Sequence, residues 1–121
     1  MAKHEGLGAR ALALRLLNAV LIDSAPLDDA IAKEEKTAAK LDARDVAFAR
    51  AIAGATLRRL GSIDAVLQHF LSKAPPKAAL TILRAGAAEL LILGVAPHAA
   101  IDSANEIAQG ENATRPFKGL I

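Results

Sequence analysis

The sequence predicts an all-α fold, and three observations carry that expectation. Twenty-nine of the 121 residues are Ala, the strongest intrinsic helix former and a poor strand residue. Alternating runs of Val, Ile and Thr, which would mark half-buried strands, are absent. Apolar residues recur instead at the three- and four-residue spacing of amphipathic helices. With 53% hydrophobic residues, a chain of this length can bury one real core, so a single domain is expected.

The first helix is expected over residues 8–22. Leu14, Leu17 and Leu21 share one face, with Ala13 and Val20 beside them. Arg10 falls at the N-terminal end of that stripe, where a cation must either reach out to solvent or find a partner. Arg15 points away from it, near Asn18. Residues 23–26, Asp-Ser-Ala-Pro, end the helix. A short second helix, 27–36, starts with Asp28 and Asp29 at its positive end. It runs into a polar stretch, 33–40, that reads as a solvated helix end or a loop. The third helix spans 43–60 behind Asp42 as a cap. Its stripe is Val46, Ala49, Ala53, Leu57 and Leu60, and Gly61 stops it.

Ser62 is then expected to cap a fourth helix, 63–71, in which Ala65, Val66, Phe70 and Leu71 supply apolar area. Residues 73–77, Lys-Ala-Pro-Pro-Lys, form a firm break. The fifth helix, 78–93, is apolar nearly all round and is the expected centre of the fold, with Leu83, Leu90 and Leu91 buried. Arg84, Gly86 and Glu89 interrupt its apolar run, so it reads as a core helix and not a membrane span. Arg84 and Glu89 point to different sides, and each is expected to pair with a neighbouring helix. Gly94 and Pro97 end this element. A sixth helix follows over 99–109, its start steadied by His98. Thr114-Arg115-Pro116 opens a seventh that is barely begun at Ile121, so the chain reads as part of a longer protein.

The chemistry available is narrow. There is no Cys, which excludes a disulfide scaffold, a thiolate zinc site and a thiol nucleophile. His4, His69 and His98 lie far apart, without the i, i+4 spacing of a helical metal site. No glycine-rich phosphate loop follows a strand. No catalytic residue, metal or cofactor is therefore expected, and no secretory signal opens the chain. The plain expectation is a cytoplasmic protein.

The net charge is +2, from 15 basic and 13 acidic residues, so any anionic partner must meet a local patch. Residues 1–60 hold 10 Lys/Arg against 8 Asp/Glu, and the remainder 5 against 5. Lys3, His4 and Arg10 form a small basic arm at the N-terminus. Arg58 and Arg59 close the third helix, where cations suit both the helix C-terminus and a phosphate. Arg44 shares a side with Arg58 across Ala51 and Ala55. Trp and Tyr are absent and Phe48, Phe70 and Phe117 fall at packing positions, so binding by base stacking is not expected.

Several segments, in order and spacing, resemble the NusB superfamily. Asp45-Val46-Ala47-Phe48, Gly54 to Arg58 and Ile63-Asp64 resemble its third-helix region. Ile82 to Leu91 resembles its central helix, and Pro97-His98-Ala99-Ala100-Ile101 the next helix start. Together with Arg115 to Ile121, that last run is most similar to the N-terminal domain of the RsmB (Sun/Fmu) family of 16S rRNA cytosine-5 methyltransferases. The resemblance implies a NusB-like fold of six to seven helices in two crossed bundles. It implies a non-catalytic domain that positions rRNA for a methyltransferase domain in the same parent chain. It also implies RNA and a ribosomal protein as partners. The RNA-contacting set it suggests, with the patches above, is Lys3, Arg10, Arg15, Arg58, Arg59, Arg115 and Lys118. Two alternatives stay open: a NusB-type transcription antitermination factor and a helical protein-interaction module. The dense N-terminal arginine cluster of antitermination factors is not matched by Lys3, Arg10 and Arg15.

Overall fold

The computed structural model describes residues 6–110, with side chains described through residue 108. Within them are seven helices and no strand: α1 Leu7–Leu21, α2 Leu27–Lys33, α3 Glu35–Ala38, α4 Ala43–Arg58, α5 Leu60–Phe70, α6 Lys77–Leu91 and α7 Pro97–Gly110. The all-α expectation is met.

Alanine sets the packing. α1 lies along α4, with Ala9 and Ala13 buried on one helix and Ala49 and Ala53 on the other. A side chain of one methyl lets helix axes approach at the short end of the usual range, about 8 Å. Larger side chains fill the layers between: Leu12, Leu16 and Leu17 from α1, Ile52 from α4 and Ile82 from α6 form one continuous core. Ala104 and Ala108 bring α7 onto the same core. A smaller cluster, Ala55, Ile63 and Ala88, fixes α5 between α4 and α6. Two buried threonines satisfy themselves within their own helices: the Thr56 hydroxyl donates to the Ile52 carbonyl at 2.7 Å, and Thr81 to Lys77 at 3.1 Å.

The helix boundaries differ from expectation in instructive places. The second helix is broken at Glu34 into α2 and α3, because no large apolar residue after Ile31 ties this polar stretch down. Gly61 does not stop the third helix. Arg59 (φ −115°, ψ 23°) is the whole junction, and Gly61 and Ser62 lie in the first turn of α5. Ser62 is therefore not a cap. Asp42 does occupy the N-cap of α4 in extended geometry, yet its side chain makes no capping hydrogen bond. Pro97 opens α7 as its first residue and does not end α6. The turn before it is made at Gly94, whose φ of +69° suits glycine.

α6 touches α1, α4, α5 and α7, as expected of a central helix. Its buried side, however, is Ala79, Ile82, Ala85, Ala88 and Glu89. Leu83 and Leu90 are half-buried, and Leu91 is 63% exposed. The expectation that all three leucines are buried is corrected: neighbours cover one face of α6, and the leucines lie toward the other. α5 shows the same reversal. Ile63 and Leu67 face inward, while Val66 and Phe70 are exposed, Phe70 by 79%.

Candidate nucleic-acid interface

The outward face of α4 carries Arg44, Arg50 and Arg58, all exposed, and Arg59 follows at its end. Between them lie only small side chains, Ala47, Ala51 and Gly54. From Arg44 to Arg58 this edge runs about 21 Å at ~1.5 Å per residue. The Arg58 guanidinium folds back over Gly54, where a Cβ would meet its Nη1 at 2.9 Å. Among the described residues, none of Arg44, Arg50, Arg58 and Arg59 is in an ion pair. Four arginines with free planar forks on a low-relief surface can donate paired hydrogen bonds to phosphate oxygens. Arg50 was not singled out from the sequence. Its signal was its six-residue spacing from Arg44, which keeps it on the outer half of the helix.

Arg15 is exposed on α1 and lies 3.8 Å from Glu34, an open surface contact that leaves its fork largely available. Arg10 behaves differently. Its side chain lies inside the bundle at 7% exposure. Nε donates to both Glu89 carboxylate oxygens at 2.9 and 3.0 Å, and Nη2 donates to Oε1 at 2.7 Å. The guanidinium also stacks 5.2 Å from the Phe48 ring centre. Gly6, at φ +79°, crosses so close above Arg10 that a Cβ there would stand 2.5 Å from Nη1. Of the two outcomes open to a cation on an apolar stripe, the fold takes the partner. Arg10 ties α1 to α6, and in this state its fork is not presented to solvent. Lys3, Arg115 and Lys118 lie outside the described residues.

The expectation for the other charged pair of α6 also holds. Arg84 meets Asp64 of α5 through two parallel bonds of 2.8 Å, Nε to Oδ1 and Nη2 to Oδ2. The two charges that interrupt the apolar run of α6 thus find partners on opposite sides, Glu89 on α1 and Arg84 on α5. The arginines along α4 differ from both, since no ion pair holds them among the described residues.

A family model for the NusB family matches residues 7–120. The chain belongs to the NusB family. The seven helices of the described residues agree with that assignment. Searches of curated proteins and of solved structures returned no match. Among the described residues, no helix of this NusB domain is long and apolar enough to cross a membrane.

Proposed function

We propose that this NusB-family chain is an RNA-binding domain that positions rRNA for a cytosine-5 methyltransferase domain in the same parent protein. The observation that carries the RNA reading is the row of unpaired arginines along α4, continued by Arg59 and flanked by Arg15. Its chemistry is that of a backbone clamp: cations meet phosphates and release their counterions, with little reading of bases. The domain contributes no chemistry of its own in this reading. Cytosine-5 methylation in the family the sequence resembles adds a cysteine thiolate to the base, and this chain has no Cys. A ribosomal protein is a further proposed partner.

The free-standing antitermination factor is equally consistent with the family match. The two readings differ in RNA target, a small-subunit rRNA hairpin against a single-stranded transcript element. Titrating both RNAs at several salt concentrations separates them. If all four arginines are engaged, log affinity falls with log salt at a slope of about −3, using ~0.7 per phosphate for single strands. Absence of binding to either RNA at low salt replaces both readings with a protein-interaction module.

A further inference from the structure

Beside the basic edge of α4 lies an opening that the phosphate clamp does not use. α1, the α2–α3 stretch and α4 enclose a half-open cleft of about 200 Å³. Leu12 and Leu16 of α1 form its floor, and Ile31 of α2 and Val46 of α4 its apolar walls. The cleft exists because the helix breaks at Glu34, and residues 35–40 carry no large apolar side chain to fill the space. Its volume is several times the ~30 Å³ share of a water molecule. It is smaller than the ~300–1,000 Å³ pocket of a drug-sized ligand. A single flat ring system suits that size.

The rim of the cleft is chemically divided. Glu34 and Glu35 stand on the α2–α3 side and Arg50 on the α4 side. Among the described residues Glu34 has a loose 3.8 Å contact with Arg15, and neither Glu35 nor Arg50 is in an ion pair. An anion is therefore drawn to the α4 lip and repelled from the other, where hydrogen-bond donors are favoured. A nucleotide has that polarity, with phosphate at one end and a flat base with donors on its edge at the other.

We propose that the cleft takes one unstacked, amino-bearing base of the bound RNA: cytosine, adenine or guanine. The phosphate meets Arg50, and the ring lies against Ile31 and Val46, aliphatic walls standing where other readers use aromatic ones. The exocyclic amino group donates to Glu34 or Glu35, as carboxylates do when they read the N4 amino group of cytosine. Uracil has no amino group, and the carbonyl oxygens beside its N–H face the carboxylates as acceptor against acceptor. The inference rests on the RNA reading and adds one base-selective position to a clamp that otherwise holds phosphates.

The test uses short oligouridines in which one central position is uridine, cytidine, adenosine, guanosine or an abasic ribose. Fluorescence anisotropy at low salt gives the affinity of the full chain for each. At least one amino-bearing base is expected to bind about tenfold tighter than both uridine and the abasic ribose. With that RNA, and not with the abasic one, the methyl NMR signals of Leu12, Ile31 and Val46 shift. The double variant Glu34→Gln/Glu35→Gln, shown to be folded by circular dichroism, is judged by the ratio of the preferred base to uridine. Losing two negative charges strengthens binding of every RNA alike, so the ratio isolates the base contact, and it is expected to fall to about one. Affinity that is equal across the series, or a ratio unchanged in the double variant, overturns the base site and leaves the phosphate clamp standing. No binding to any of these RNAs overturns the RNA reading and the base site with it.

Discussion

Removing the Glu89 carboxylate isolates the most consequential contact of the fold. Glu89→Gln keeps the side-chain shape but takes away the carboxylate that accepts three hydrogen bonds from the Arg10 guanidinium, itself 7% exposed. Breaking a buried pair by removing one partner costs about 3–5 kcal/mol. The stacking of Arg10 on Phe48 is present before and after, so it offsets nothing. A domain of this length has roughly 6–18 kcal/mol of total stability at ~0.05–0.15 kcal/mol per residue, so the loss is a large fraction of it. Near the midpoint, ~1 kcal/mol corresponds to about 3–6 °C for a domain of intermediate size. The expected fall in Tm is therefore about 9–30 °C. The double variant Arg10→Met/Glu89→Leu removes both charges and keeps the volume. It is expected within about 1 kcal/mol of the natural pair, because the desolvation cost of both ions disappears with them. Urea unfolding followed by circular dichroism at equilibrium, on the natural chain, Arg10→Met, Glu89→Leu and the double variant, measures all four corners of the cycle, with Glu89→Gln measured beside them. The reasoning is refuted if Glu89→Gln costs less than about 1 kcal/mol, or if the double variant is as unstable as the worse single one.

Leu17→Ala, at a fully buried position of α1, is expected to cost about 2–5 kcal/mol, whereas Leu91→Ala, largely exposed, should stay within about 1 kcal/mol in the same urea assay. Gly86→Ala meets nothing within 4 Å in the interior of α6, so helix propensity predicts a gain of about 0.5–1 kcal/mol, read as a raised denaturation midpoint. The triple variant Arg44→Ala/Arg58→Ala/Arg59→Ala should retain its Tm within a few degrees, lose affinity for an rRNA hairpin at low salt, and flatten the salt slope by about 2. Unchanged binding would place the RNA surface elsewhere. Calorimetric titration with S-adenosylmethionine should give no heat of binding, and micromolar binding would contradict a non-catalytic role.

The sequence was legible where structure depends on local pattern. The first helix was expected over 8–22 and spans Leu7–Leu21, and α6 was placed within two residues at either end. That Arg84 and Glu89 would each pair with a different neighbour followed from their spacing alone. Legibility failed where the answer depends on what lies across the core. Ile82 and Leu91 look equally buried in a run of apolar residues, and only the positions of the neighbouring helices decide which side of α6 is covered. Phe70 was read as a packing residue for the same reason. Arg10 was grouped with the basic arm because its partner stands 79 residues away, a distance at which no helical periodicity informs. Gly61 misled in the opposite sense. Glycine is a frequent helix stop, but here Arg59 makes the junction and glycine falls inside the next first turn.

The Arg10–Glu89 bond also orders events in time. A chain made from its N-terminus exposes α1 long before Glu89 has been synthesised. During that interval the Glu89 carboxylate is not there to accept from Arg10, and burying the guanidinium without it is unfavourable. α1 can rest on α4 through their alanines, but it cannot settle fully until α6 has emerged. The domain thus carries an internal check against premature closure, and the contact that α1 waits for lies on α6, far along the chain. Folding that is cooperative across the whole length, and not helix by helix, is the expected result.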